Sequence, residues 1–103
     1  MSLIFKAAQP KTLLDAIKKE INSEKIVTWS CDSDGDFTHT PEQWKNKAWL
    51  RPIVGTDELK FNIIKPTSVT KFGNAVLGIY YGRFLEMVSN HFENSFTSAT
   101  LNF

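Results

Sequence analysis

The chain has 103 residues, of which 42% are apolar and 22% are charged, and its formal net charge is +1. This composition is typical of one folded domain, here predicted to span residues 1–103, and the thirteen aromatic residues argue against disorder. The small net charge does not favour attraction to nucleic acid or to an anionic membrane. No apolar run approaches the ~18 residues of a membrane-spanning helix. Because a single cysteine excludes an intrachain disulfide and suits a reducing compartment, we expect a cytoplasmic protein.

The first predicted element in chain order is Leu3–Phe5, which is interpreted as either a short edge strand or an apolar tether. An amphipathic helix follows, and either Pro10 in its first turn or a Thr12 cap begins it. Asn22 is predicted to end this helix in a left-handed conformation. Its buried face is a stripe of apolar residues at the helical period: Leu13, Leu14, Ile17 and Ile21.

Residues 26–40 predict a β-hairpin, since apolar and polar side chains alternate on both sides of Asp34-Gly35. A two-residue loop would divide the apolar side chains between the two faces. A three-residue loop that ends at Gly35 collects them on one face and is preferred, because burial decides register. It also requires a left-handed Gly35. The resulting pairs are Cys31 opposite Phe37 and Trp29 opposite His39.

A short helical turn at residues 40–44 and a second hairpin are predicted next. Pairing Val54 with Leu59 places the apolar side chains of both strands on one face. Pro52 lacks a backbone donor, so its strand is predicted to lie at a sheet edge or to be bulged. The opposite face then pairs Trp49 with Ile64, Arg51 with Asn62, and Ile53 with Lys60.

The segment Ala75–Phe92 fits either one long helix or a strand followed by a helix. We favour a strand at Ala75–Tyr81 and a helix from Arg83, because Gly78 and Gly82 would each cost about 1 kcal/mol inside a helix. Residues 96–103 alternate like a final strand. The predicted fold is an α+β two-layer sandwich, in which a mostly antiparallel sheet of about five to six strands carries two main helices on one face.

A candidate catalytic group comprises Cys31, His39, Arg83 and His91. Cys31 and His39 are diagonal neighbours in the first hairpin, where a cysteine–histidine pair would activate a nucleophile. However, a cysteine packed among aromatic side chains is more often an inert hydrophobic residue. A cleft containing both residues would favour an enzyme, whereas burial of both would favour a binding domain.

Three carboxylates lie near the tip of the first hairpin: Asp32, Asp34 and Asp36. A calcium loop of the EF-hand type needs glycine at its sixth position and glutamate at its twelfth. Here glycine precedes the third aspartate, and Gln43 occupies the twelfth position. Because aspartate and glycine are also common in turns, we predict a turn with no metal, and no cofactor elsewhere.

Two surfaces are candidates for binding. Residues 44–51 interleave cations with tryptophans as single-stranded nucleic-acid sites do, but the net charge of +1 makes nucleic acid an unfavoured partner. The second surface, called the outer patch below, consists of Trp49, Arg51, Ile53 and Ile64, and the alternative is that Leu3–Phe5 or a loop covers it. Tryptophan and arginine are enriched at interface hot spots.

The sequence therefore favours a non-catalytic accessory or interaction domain over an enzyme. The expected partner is another protein or a second copy of the chain, most simply a two-fold dimer formed by packing of sheet faces. No membrane partner is expected, and the sequence identifies no small-molecule ligand.

Overall fold

A computed structural model describes residues 1–69 and 73–102. In this part of the chain, two helices and six strands occur in the order β1 (Ser2–Lys6), α1 (Pro10–Asn22), β2 (Trp29–Cys31), β3 (Phe37–His39), β4 (Trp49–Val54), β5 (Glu58–Ile64), α2 (Asn74–Phe92) and β6 (Ser98–Asn102). The strands form one antiparallel sheet with the order β2-β3-β4-β5-β1-β6. The predicted α+β class is confirmed. Phe103, the last residue of the predicted final strand, lies outside the described residues.

One face of the sheet, the core face, carries the aromatic and aliphatic side chains that the helices cover. On it, the Phe84 ring of α2 lies 5.6 Å from the Phe37 ring and 4.6 Å from the Phe61 ring. The apolar stripe of α1 is buried in the same cluster. Burial of each such large apolar side chain contributes roughly 1.5–3 kcal/mol.

Of the two interpretations of Leu3–Phe5, the strand is correct and the tether is wrong, but β1 is not an edge strand. It lies between β5 and β6 and pairs with both. Leu3 and Phe5 are fully buried on the core face. The local pattern does not reveal this position, because the pairing joins residues 2–6 to residues 98–102 at the other end of the described chain.

The first hairpin has the predicted register, with Trp29 opposite His39 and Cys31 opposite Phe37. Gly35 has φ of +84°, as the three-residue loop requires. The end of α1 differs from the prediction. Asn22 stays helical, and the left-handed residue is Glu24, with φ of +63°.

The second hairpin also has the predicted register, including Val54 opposite Leu59 and Trp49 opposite Ile64. The prediction that Pro52 lies on an edge strand is wrong, since β4 lies between β3 and β5. β3 begins at Phe37, which pairs with Leu50. Pro52 therefore lies beyond that pair, beside the loop of the first hairpin, where β3 provides no acceptor for the missing donor.

The predicted strand at Ala75–Tyr81 is wrong, because Asn74–Phe92 forms one helix. Packing outweighs the low helix propensity of its glycines. Leu77, Tyr81 and Phe84 are buried, while Gly78 and Gly82 point to open space, where an added Cβ would meet nothing within 4 Å. Residues 40–44 form a turn without an assigned helix, and the backbone N–H groups of Trp44 and Lys45 donate to the Pro41 carbonyl.

Candidate functional site

A cleft of about 380 Å³ lies between α2 and the first hairpin with its following turn. The α2 wall is a single helical stripe, and half of the residues on the facing wall are aromatic. The side chains on the α2 wall that bear on its chemistry are Arg83, Glu86 and His91, and those on the facing wall are Trp29, His39 and Trp44. An aromatic cleft with a few converging polar groups is the usual form of a small-molecule site.

His39 is held in one orientation inside this cleft. Its Nδ1 lies 2.8 Å from the Thr28 carbonyl, and its ring lies 4.6 Å from the Trp29 ring. Because a carbonyl only accepts, Nδ1 must carry the proton, which leaves Nε2 as the acceptor. Burial lowers the pKa of His39, and the positive charge of Arg83 lowers it further. The hydrogen bond to the Thr28 carbonyl acts in the opposite direction and raises the pKa. His39 is therefore a neutral imidazole with a fixed tautomer.

Cys31 does not belong to this cleft. It lines a separate pocket with residues from the end of α1 and the connection that follows, including Ile21 and Ile26. Burial raises the pKa of the Cys31 thiol, opposed in part by Lys18. Since the thiolate is the nucleophilic form, this environment favours an unreactive thiol. The structure thus brings His39, Arg83 and His91 together and separates Cys31 from them.

Buried hydroxyl groups hold the turn at the mouth of the cleft. The Tyr80 hydroxyl donates to the Trp44 carbonyl. The Thr38 hydroxyl lies 3.2 Å from that of Tyr80 and donates to the Ala48 carbonyl at 2.9 Å. The sequence prediction missed this network and the contribution of Trp44 and Glu86 to the cleft. Reading residues 74–92 as one helix would have placed Arg83, Met87 and His91 on one stripe and revealed the wall.

The three acidic groups of the hairpin tip lie close together, and those of Asp32 and Asp36 are engaged in protein contacts. The carboxylates of Asp32, Asp34 and Asp36 lie within 4.8 Å of one another. Asp32 Oδ1 accepts from the backbone N–H groups of Asp34 and Asp36, at 2.9 and 3.0 Å. The Asp36 carboxylate binds the Arg51 guanidinium through both oxygens, at 3.0 and 2.8 Å. The turn and its ion pair account for the Asp32 and Asp36 side chains, and Asp34 is exposed at the tip. We assign this cluster no metal.

The outer patch lies on the sheet face opposite the helices, here called the outer face. Its register is the predicted one, since Arg51 pairs with Asn62 and Ile53 with Lys60. Ile53 is 42% exposed, and Trp49 and Ile64 are half-buried. The alternative that Leu3–Phe5 covers the patch is wrong, because β1 is part of the sheet.

β1 instead enlarges the apolar area of the outer face. Ile4, which pairs with Lys60, points to this face, because its neighbours Leu3 and Phe5 point to the core face. The sequence prediction missed this residue because it did not place β1 beside β5. The apolar surface thus extends across three strands, with the Lys60 side chain between Ile53 and Ile4.

The two tryptophans of the predicted nucleic-acid platform do not share a surface. Trp44 lines the cleft on the helix side, and Trp49 belongs to the outer patch. A stacking platform needs both rings along one path, and these two rings do not form one.

Within residues 1–69 and 73–102, neither helix has the length and apolar character needed to cross a membrane.

Comparison with known proteins adds no relative to this description. No protein-family model matches the chain, and neither a curated protein nor a solved structure is significantly similar to it.

Proposed function

We propose that this protein is a non-catalytic interaction domain that binds an apolar, acidic surface of another protein through its outer patch. The observation that carries the proposal is the exposure of Ile53 beside the half-buried Trp49, on the sheet face opposite both helices. Large apolar groups around an arginine are the composition of interface hot spots. The half-buried Cys31 thiol supports a reducing, cytoplasmic setting for this interaction.

The charge of the outer face supports an acidic partner over a second copy packed face to face. Asp36 already compensates Arg51. No ion pair of Lys60 occurs among the described residues, although this lysine lies in the middle of the apolar surface. In a two-fold packing of outer faces, the same patch meets itself, so the two Lys60 charges would approach each other. A partner with carboxylates would instead neutralise them.

The test first isolates binding partners by affinity to the wild-type chain. It then measures how tightly the purified partner binds the wild type and two variants. Trp49→Ala removes the largest apolar side chain of the patch and is expected to weaken binding by roughly 30-fold or more, a hot-spot magnitude. Val27→Ala, which removes an exposed apolar side chain outside the patch, is the matched control. Sedimentation of the free wild type and Trp49→Ala shows whether self-association uses the outer patch, and titration with a single-stranded oligonucleotide tests the nucleic-acid class.

A partner that binds the wild type and Val27→Ala but loses affinity for Trp49→Ala supports the proposal. A partner that binds all three chains equally contradicts it, as does tight oligonucleotide binding that Trp49→Ala abolishes. Circular dichroism and thermal melting of Trp49→Ala verify that its fold is intact, since Trp49 lies outside the core cluster.

A second candidate function is binding or turnover of a small molecule in the cleft, which retains three residues of the predicted enzyme. It is favoured by the fixed His39 tautomer, because a neutral imidazole that lines a cleft suits a general base. The Arg83 guanidinium lies 3.4 Å from Glu86, a loose ion pair that leaves it able to bind a carboxylate. Benzoate is a suitable probe, and its binding should shift the His39 and Trp44 NMR signals. Saturable shifts that Arg83→Gln abolishes would support this candidate, and shifts that stay linear with benzoate concentration would exclude it for this ligand class.

A further inference from the structure

Within residues 1–69 and 73–102 the sheet ends at β6, and this edge has neither the charges nor the prolines that usually prevent strands from pairing between molecules. All five residues of β6 are exposed. From residue 94 to residue 103 the sequence contains no charged residue, proline or glycine. Natural edge strands are commonly protected by lysine, proline, bulges or short length. The other edge, β2, is short, with three residues, and Asp32 follows it directly.

The hydrogen bonds of β1 show which backbone groups of β6 point away from the sheet. In an antiparallel strand, the backbone groups of successive residues point to opposite sides. The Ala7 N–H donates to the Asp57 carbonyl at 2.9 Å, so odd-numbered residues of β1 point to β5. Even-numbered residues therefore point to β6. The Lys6 carbonyl accepts from the Thr97 N–H at 2.9 Å and so points towards β6, whereas Thr97 precedes β6 and lies outside the alternation of that strand.

It follows that Ser98, Thr100 and Asn102, which pair with even-numbered residues of β1, use their backbone groups within the sheet. Ala99 and Leu101 alternate with them, so their N–H and C=O groups point outward from the edge. Two outward-pointing residues separated by a single position form a self-complementary antiparallel edge, because each can bond to the other residue in a two-fold copy.

We propose that the chain forms a two-fold dimer by antiparallel pairing of β6 with β6 of a second copy, with the symmetry axis at Thr100. In this register, Ala99 pairs with the partner's Leu101 and exchanges both N–H···O bonds, and Leu101 pairs likewise with the partner's Ala99. The sheets of the two copies join into one continuous sheet. The dimer is independent of the proposed function, because it uses the edge and leaves the outer patch accessible.

The side chains fit the same register on both faces. The Leu101 side chain, 42% exposed, shares the core face with Leu3, which it opposes, and would cover the partner's Ala99 at the end of the helix layer. On the outer face, Thr100 meets its own copy in the close, non-hydrogen-bonded position, where threonine pairs are favourable. Because the strand is uncharged, a two-fold copy brings no like charges together, in contrast to the outer patch with its Lys60.

Sedimentation equilibrium over a range of protein concentrations tests the dimer. The wild type is expected to show a monomer–dimer equilibrium. Thr100→Lys places two ammonium groups opposite each other at the axis and should raise the dimer Kd by about tenfold or more. Ser30→Lys is the matched control, because it adds the same charge at an exposed position of the other edge strand, and it should leave the Kd unchanged.

Cross-linking separates this register from other modes of association. In a Cys31→Ser background, Thr100→Cys brings two thiols together at a Cα separation of about 4.5 Å, which suits a disulfide. It should form a covalent dimer under mild oxidation, and Ser98→Cys, which faces the partner's Asn102, should not. A wild type that stays monomeric at high concentration overturns the proposal. A dimer that Thr100→Lys leaves unchanged, or one that cross-links through Ser98→Cys and not through Thr100→Cys, also overturns it.

Discussion

Asp36 and Arg51 join the tip of the first hairpin to β4, at a position one residue before β3 begins. The guanidinium donates through Nε and Nη2 to the two oxygens of one carboxylate, at 3.0 and 2.8 Å. The Asp36 side chain is 7% exposed, whereas that of Arg51 is 55% exposed. Such a fork-shaped contact fixes orientation as well as distance. It therefore replaces the backbone pairing that β3 cannot provide beside Pro52.

We expect Asp36→Asn to lower the melting temperature by roughly 4–8 °C, because the amide cannot accept two charge-assisted hydrogen bonds. Asp34→Asn is the control, since the Asp34 side chain is exposed at the same tip. Thermal unfolding followed by circular dichroism measures both. Equal melting temperatures for Asp36→Asn and the wild type would show that the ion pair adds no stability.

Glycine substitutions in the turn and in α2 should change stability in opposite directions. Gly35→Val is expected to destabilise the fold by about 1–2 kcal/mol, because a β-branched residue tolerates its positive φ badly. Space is not the cause, since an added Cβ would meet Lys18 Nζ only at 3.7 Å. Gly78→Ala is expected to stabilise by up to about 1 kcal/mol in the exposed face of α2. Urea unfolding measures the change in the free energy of unfolding for both variants. A Gly35→Val chain as stable as the wild type would refute the argument that the positive φ of Gly35 disfavours a β-branched side chain.

Local pattern was sufficient for the hairpins and α1. In the first hairpin, one criterion, burial of Trp29 and Phe37 on the same face, selected the register, the loop length and the conformation of Gly35. Pattern failed for α2 because the cost of Gly78 and Gly82 is local, whereas the compensating burial of Tyr81 and Phe84 depends on partners in distant strands. Propensity is a weak prior when packing opposes it.

The sequence predicted a candidate site correctly only where the site lies within one pair of neighbouring strands. The outer patch lies within one hairpin, and its register could be read directly. The separation of Cys31 from His39 could not, because it depends on where α2 and the turn at Trp44 meet the sheet. Ile4 was missed for the same reason, since its strand pairs with residues far along the chain.

His39 should make stability depend on pH in the acid range. Burial lowers its folded pKa below the ~6.5 of an unfolded histidine, so the folded state resists protonation. Its contribution to stability is therefore fully present above about pH 6.5 and is lost as the pH falls through the folded pKa. His39→Gln should flatten this dependence, and His91→Gln, at an exposed position, should not.

An NMR titration of the imidazole signals checks the cause of the His39 shift. Because the charge of Arg83 contributes to the lowering, Arg83→Gln should raise the His39 pKa towards its ordinary value. An unchanged pKa in Arg83→Gln would leave burial as the whole cause. An unchanged pH dependence of stability in His39→Gln would show that another group is responsible.

Tyr81 should produce the opposite dependence in the alkaline range. Its side chain is fully buried, and burial raises its pKa to about 12, against a smaller opposing effect of a hydrogen bond with the Ile63 backbone. Below pH ~10, both the folded and the unfolded chain keep the phenol proton, and the full stabilisation is present. Between pH ~10 and ~12 the unfolded chain loses the proton first, so the free energy of unfolding falls by up to about 1.4 kcal/mol per pH unit. Urea unfolding of the wild type and Tyr81→Phe across this range measures the difference in slope. The two chains differ only in this phenol group, so identical slopes would mean that Tyr81 ionises as readily in the folded chain as in the unfolded one.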